Sequence, residues 1–185
     1  MQIDKINNLL ALFYDQYQRQ DKDSIFLQSL KEPKKNYSWE DVYLNINKLS
    51  EEISKYIKKG DRCLLISENR PEWMTADLSI MLSGGITVPA YITYSERDYE
   101  YIIDDCSPSI LIVSDKTQFE KIKNIIPKKK FIKKIIFFEH IDDFKEKLYL
   151  KTNDIFKKQN CNHLNFFDLE IQRKDVACII YTSGT

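Results

Sequence analysis

The 185 residues are 43% hydrophobic and 12% aromatic, which suits one sizeable folded core and excludes a disordered chain. The 28 basic and 28 acidic side chains cancel, which removes any global electrostatic case for a nucleic-acid partner. Four glycines and five prolines leave little material for linkers, so one unit over residues 1–185 is expected, with no separate second domain.

No apolar run approaches the ~20 residues of a membrane span. Met1-Gln2-Ile3-Asp4-Lys5 is too polar for a signal peptide, so the expected location is cytoplasmic. Cys63, Cys106, Cys161 and Cys178 show no CxxC spacing, and Cys63 and Cys178 lie inside apolar runs. They read as reduced, buried thiols.

Ile3, Ile6, Leu10, Phe13 and Tyr17 recur at helical spacing, so an amphipathic helix opens the chain. Ser24-Ile25-Phe26-Leu27-Gln28 reads as a short strand, and Lys34-Lys35-Asn36 as the turn after it. Ser38 with Asp41 three residues on is a capping box. The helix it opens carries Val42, Ile46, Leu49, Ile53 and Ile57 on one face. Lys58 and Lys59 suit its negative end and Gly60 is its expected stop.

Arg62-Cys63-Leu64-Leu65-Ile66 has the continuous apolar character of a strand buried on both faces. Pro71 suits the first turn of a helix and Glu72 adds charge there; Trp73 to Leu82 should be largely buried, ending at Gly84-Gly85. Ile86-Thr87-Val88 is the next strand. Ser95 and Asp98 cap a helix carrying Tyr99, Ile102 and Ile103, closed by Ser107-Pro108, and Ser109 to Val113 is a strand. Phe119, Ile122, Ile125 and Ile126 stripe a further helix before the strand Ile135 to Phe138. This alternation predicts an α/β fold, an open, mostly parallel sheet with helices on both faces. From Glu139 to Asn165 the strand signal fades, leaving one or two short surface helices. Val176 to Ile180 is a last buried strand, running into Tyr181-Thr182-Ser183-Gly184-Thr185.

A strand entering a Thr/Ser/Gly turn brings hydroxyls and free N–H groups together where phosphate can be held, although many ordinary turns share that composition. Other constellations carry less. Trp73 reads as core, and Arg70 serves equally well as a cap for a neighbouring carbonyl. Cys161 and His163 lack further metal ligands, and His140 and His163 have no triad context. Lys128-Lys129-Lys130 with Lys133-Lys134 reads as a solvated turn, with peripheral contact to an anionic membrane as the alternative. GxGxxG and GxxxxGK[ST] are both absent.

Asp175-Val176-Ala177-Cys178-Ile179-Ile180-Tyr181-Thr182-Ser183-Gly184-Thr185 resembles the first half of the phosphate loop of AMP-forming acyl-CoA synthetases, in the adenylate-forming superfamily. Asn69-Arg70-Pro71-Glu72-Trp73, Gly85-Ile86-Thr87-Val88-Pro89-Ala90-Tyr91 and Tyr101-Ile102-Ile103-Asp104-Asp105 resemble the long-chain fatty-acid branch in order and rough spacing. The resemblance implies the N-terminal part of the large AMP-binding domain, truncated inside its phosphate loop. It further implies ATP and Mg²⁺, coenzyme A as co-substrate, a fatty acid as the acid activated, and the rest of its own chain as a partner. Thr182, Ser183, Gly184 and Thr185 match the loop over the β- and γ-phosphates. The loop's lysine, the Mg²⁺ carboxylate, the adenine contacts and the catalytic lysine are expected beyond Thr185, so no catalytic residue or metal ligand is assigned within the chain and the 185 residues alone should be inactive. Two alternatives stay open: a branch that adenylates an aryl acid or amino acid, and a non-catalytic α/β binding domain.

Overall fold

The computed structural model describes residues 6–30, 32, 35–139, 141 and 148–182. Helix α1 (Leu9–Arg19) starts later than the apolar stripe suggests, because the Asn8 side chain accepts from the Ala11 N–H at 2.8 Å and fixes the helix start there. Ile6 therefore precedes the helix, and Ile3 lies outside the described residues. Strand β1 (Ile25–Gln28) pairs antiparallel with β2 (Asn36–Ser38), so the expected turn at Asn36 is in fact a strand. An aromatic at Tyr37 suits a half-buried ribbon, and β1 needs a partner for its backbone groups.

Helix α2 (Trp39–Ile53) begins with the expected box: Ser38 Oγ accepts from Asp41 N–H at 3.1 Å, and Asp41 Oδ2 from Ser38 N–H at 2.9 Å. It stops at Ile53, well short of Gly60. The Ser54 hydroxyl donates to the Ser50 and Glu51 carbonyls at 2.8 and 3.1 Å, offering the backbone a local alternative to another helical turn. Ile57 is still buried, but from a turn. Gly60 does turn the chain, at φ +87°, and its N–H reaches the Gly84 carbonyl at 2.8 Å.

From there the elements are β3 (Arg62–Ile66), α3 (Pro71–Leu82), β4 (Ile86–Ala90), α4 (Glu96–Cys106), β5 (Ile110–Val113), α5 (Lys116–Glu120), β6 (Lys134–Phe137), β7 (Tyr149–Lys151) and α6 (Thr152–Phe156). The second capping box, Ser95 with Asp98, is formed, and Ser107 closes α4 in the left-handed region at φ 46°. The helix expected across Phe119–Ile126 shrinks to five residues. The chain crosses this stretch in turns and a short 3-10 segment, Ile126–Lys128, with Pro127 in its first turn. All four expected apolar side chains are buried nonetheless. Strand β7 had no sequence signal: it is three half-buried residues on a sheet edge.

The five strands lie in the order β4-β3-β5-β6-β7, all parallel. Alternate strand residues feed two cores. Leu64, Ile66, Val88, Leu111, Val113, Ile135 and Phe137 pack against Tyr99, Ile102 and Ile103 of α4 and Phe119 of α5. Cys63, Leu65, Ile110, Ile112 and Ile136 pack on the opposite face against Leu49 and Ile53 of α2, Ala76 and Ile80 of α3, and Ile155 of α6. A third cluster seats α1 outside α2 and α3. The expected α/β sheet with helices on both faces is what the chain forms.

Candidate active site

Ligands in open parallel sheets settle at the carboxyl ends of the strands. At the carboxyl end of β3 the chain runs Ser67-Glu68-Asn69-Arg70 into α3, and Arg70 caps no carbonyl. Its guanidinium donates from Nε to Glu72 Oε2 at 2.9 Å and from Nη1 to Glu139 Oε1, beyond β6, at 3.0 Å; Glu68 Oε1 lies 3.7 Å away. Glu72 Oε1 accepts from Lys35 Nζ at 2.7 Å and from the Tyr37 phenol at 2.8 Å. Burial alone would raise the Glu72 carboxyl, but donation from Arg70, Lys35 and Tyr37 holds it at about 2. Burial, then Glu72, pushes the Tyr37 phenol up to about 12. A cavity of about 260 Å³ opens beside this network between the β1–β2 ribbon and the ends of β3 and β6. The pattern predicts Glu72 as a dipole partner only; its six-group setting joins segments too far apart to see. Trp73 is half-buried and packs against the core between α2, α3 and the sheet.

The terminal segment flanks β4 on its free edge. Thr87 N–H donates to the Ala177 carbonyl at 3.1 Å and Ile179 N–H to the Thr87 carbonyl at 2.9 Å, a single parallel bridge between Thr87 and Cys178. The expected buried strand over Val176–Ile180 is corrected here. Pro89 has no N–H for the next rung, so the ladder stops after one step. Ala177, Ile179 and Tyr181 are half-buried, whereas Val176 and Ile180 are 56% and 62% exposed.

Cys178 shares the exposed face with Val176 and Ile180 and Cys161 is half-buried, so only Cys63 and Cys106 fit the buried-thiol reading. Burial pushes those two up, to about 12 and about 11. Thr182 is exposed at the end of the segment; Ser183, Gly184 and Thr185 lie outside the described residues. Among the described residues no group of three His, Cys, Asp or Glu is arranged to hold a metal ion. No described helix is long and apolar enough to cross a membrane. His140 is outside the described residues, and His163 lies against the Tyr43 ring, centroids 6.0 Å apart.

In the basic cluster, Lys129 pairs with Asp104, and Lys133 reaches Asp61 at 3.6 Å and the Tyr56 carbonyl at 2.9 Å. Lys134 sits 4.9 Å over the Tyr56 ring.

Asn69–Trp73 lies at the carboxyl end of β3, and Asp175–Thr182 runs along the free edge of β4. A family model described as AMP-binding enzyme matches residues 13–185, nearly the whole chain and through Thr182–Thr185. The chain belongs to this AMP-binding enzyme family. It is 30% identical over 131 residues to long-chain-fatty-acid–CoA ligase ACSBG2 of Gallus gallus, covering 65% of this chain and 16% of that protein. It is 27% identical over 187 residues to fatty acyl-CoA synthetase A of Dictyostelium discoideum, covering 93% of this chain and 28% of the relative. The chain therefore spans well under a third of either relative's length. The anthranilate CoA ligase AuaEII, solved in complex with anthranoyl-AMP, shares the fold of this AMP-binding chain with a TM-score of 0.78 at 18% identity. That match covers 97% of this chain and 33% of the other.

Proposed function

We propose that this chain is the first α/β portion of an AMP-forming acid–CoA ligase acting on long-chain fatty acids. The observation that supports this most is the family match running through Thr182–Thr185, together with relatives named as fatty acyl-CoA ligases. In such a reaction a carboxylate oxygen attacks the α-phosphorus of ATP, the bond to the bridging oxygen breaks, and pyrophosphate leaves. Coenzyme A thiol then displaces AMP from the acyl-adenylate, giving the thioester. Mg²⁺ would offset repulsion between the anions in the first step. Among the described residues no group of three His, Cys, Asp or Glu is arranged to hold it.

This chain's own contribution is the root of the phosphate loop. Thr182 is exposed at the end of the segment, where a hydroxyl can donate to the departing pyrophosphate, and Ser183, Gly184 and Thr185 complete the donor set. The Arg70–Glu72–Glu139 network ties the ends of β3 and β6. The name of the structural neighbour supplies the second reading, an aryl acid as substrate.

The test is pyrophosphate release by the enzyme that carries this chain, with ATP, Mg²⁺ and either palmitate or anthranilate. Turnover with palmitate supports the proposal; turnover with anthranilate alone moves the substrate to the aryl class. Release by the 185 residues alone, expected to be nil, would show that the assignment of the catalytic groups to later sequence is wrong.

A further inference from the structure

Helix α4 breaks a local rule at its end. Its last turn carries Asp104 and Asp105 and no basic side chain, although acids are unfavourable at the negative end of a helix. Asp104 finds Lys129. Asp105 finds no lysine or arginine among the ion pairs described; instead its Oδ2 accepts a short hydrogen bond from the phenol of Tyr181, 76 residues on. Where a local rule is broken without local compensation, the reason lies in a longer-range constraint.

Tyr181 is the residue immediately before Thr182. Its ring sits edge-on to Tyr101 of α4, centroids 6.3 Å apart, and packs with Ile179 against the core under α4. Its carbonyl accepts from the Tyr94 phenol at 3.4 Å. The segment holding Tyr94 is itself fixed: the Tyr99 phenol donates to the Tyr91 carbonyl at 2.8 Å, and the Tyr94 ring meets Tyr91 and Tyr99 edge-on. The sheet contributes only the single Thr87–Cys178 bridge to this terminal segment, because Pro89 ends the ladder. Side-chain bonds to α4 therefore replace the missing rungs where the loop leaves the sheet.

We propose that Asp105, through Tyr181 and assisted by Tyr94, is a positioning residue that sets the root of the phosphate loop for the nucleotide step. The inference rests on the ligase reading above. A loop held at its root presents its donors to the leaving phosphates without first being ordered, so loosening the root weakens nucleotide engagement and leaves the later thiol step alone.

In the enzyme that carries this chain, Tyr181→Phe and Asp105→Ala should each raise the KM for ATP in pyrophosphate release by roughly threefold to tenfold, the effect of one exposed hydrogen bond. The rate of thioester formation from supplied acyl-adenylate should not change. Asp105→Asn keeps an acceptor oxygen for the phenol and should restore most of the loss. The double variant should be no worse than either single one, since both remove the same bond. Equal losses in both half-reactions, additive losses, or an Asn variant as impaired as Ala would overturn the assignment. Amide hydrogen exchange over residues 176–182 gives a readout without turnover: each single variant should speed exchange there and leave β3 and β5 unchanged. Unaltered protection would refute the anchor whichever acid the enzyme uses. A wild-type enzyme that holds this segment but releases no pyrophosphate with any acid would count against the ligase reading and not against the anchor.

Discussion

Replacing Glu72 by Gln tests the ionic network at the carboxyl edge. The carboxylate is 6% exposed and accepts from Arg70, Lys35 and Tyr37. Glutamine keeps the shape but turns one acceptor oxygen into an NH₂ that faces a donor, and leaves Arg70 with Glu139 and a more distant Glu68. The carboxyl is held at about 2 against an ordinary 4.5, which corresponds to about 3 kcal/mol in favour of the folded state at neutral pH. Lys35 is 38% exposed, so water screens part of that contribution, and about 2 kcal/mol is the expected loss in the variant. Because the folded-state value is depressed, the contribution is fully present above the unfolded value of about 4.5. It is lost as pH falls through about 2. Urea unfolding followed by circular dichroism should give a gap between wild type and Glu72→Gln that is constant near pH 7 and closes between about pH 4.5 and 2. A gap of the same size at both ends of that range would mean that packing, not charge, is what Glu72 contributes.

Ser38→Ala removes the hydroxyl half of the α2 box and should cost ~1 kcal/mol in the same urea titration, with little effect on Ser38→Asp. Gly85→Ala puts a Cβ 2.9 Å from Ile57 Cδ1, 3.0 Å from Ile80 Cγ2 and 3.2 Å from the Ile80 carbonyl, so about 1–3 kcal/mol should be lost and the melting temperature should fall. Thr182→Ala in the whole enzyme should slow adenylation by an amount equivalent to ~2–4 kcal/mol and leave thioester formation from acyl-AMP intact; equal slowing of both steps would make Thr182 structural. The isolated 185 residues expose Val176 and Ile180 on a thinly paired edge, and should self-associate in size-exclusion chromatography with light scattering. A sharp monomer would refute that.

The legible part of this chain is the part written locally. Both capping boxes combine residues three positions apart, and the continuous apolar runs of β3 and β5 announce strands covered on two faces. Two boundaries that differ from the apolar pattern are each decided by a competing local bond: Asn8 capping ahead of α1 and the Ser54 hydroxyl ending α2. Strands β2 and β7 are three residues each, too short for a period to show, and exist because a neighbouring strand offers its edge.

The terminal segment shows where composition misleads. Five apolar residues in a row look like a buried strand. Yet burial of a strand depends on what lies beside it, and β4 places Pro89 at the rung that would have continued the pairing. Val176, Cys178 and Ile180 face solvent while Ile179 and Tyr181 pack under α4. By residue chemistry alone Thr182–Thr185 reads as a turn that could bind phosphate, and it is the resemblance to the phosphate loop of AMP-forming acyl-CoA synthetases that sharpens the reading. What holds the motif in place could not be read from the motif. Asp105 lies 76 residues before Tyr181, and Glu72 lies 37 residues after Lys35. Pairs at such separations carry no periodicity, and a local trace exists only for Asp105, an acid set where its own helix disfavours it. Asp105 at the end of α4 is such a trace, and an unexplained acid in a last helical turn is a position from which to look for a distant donor.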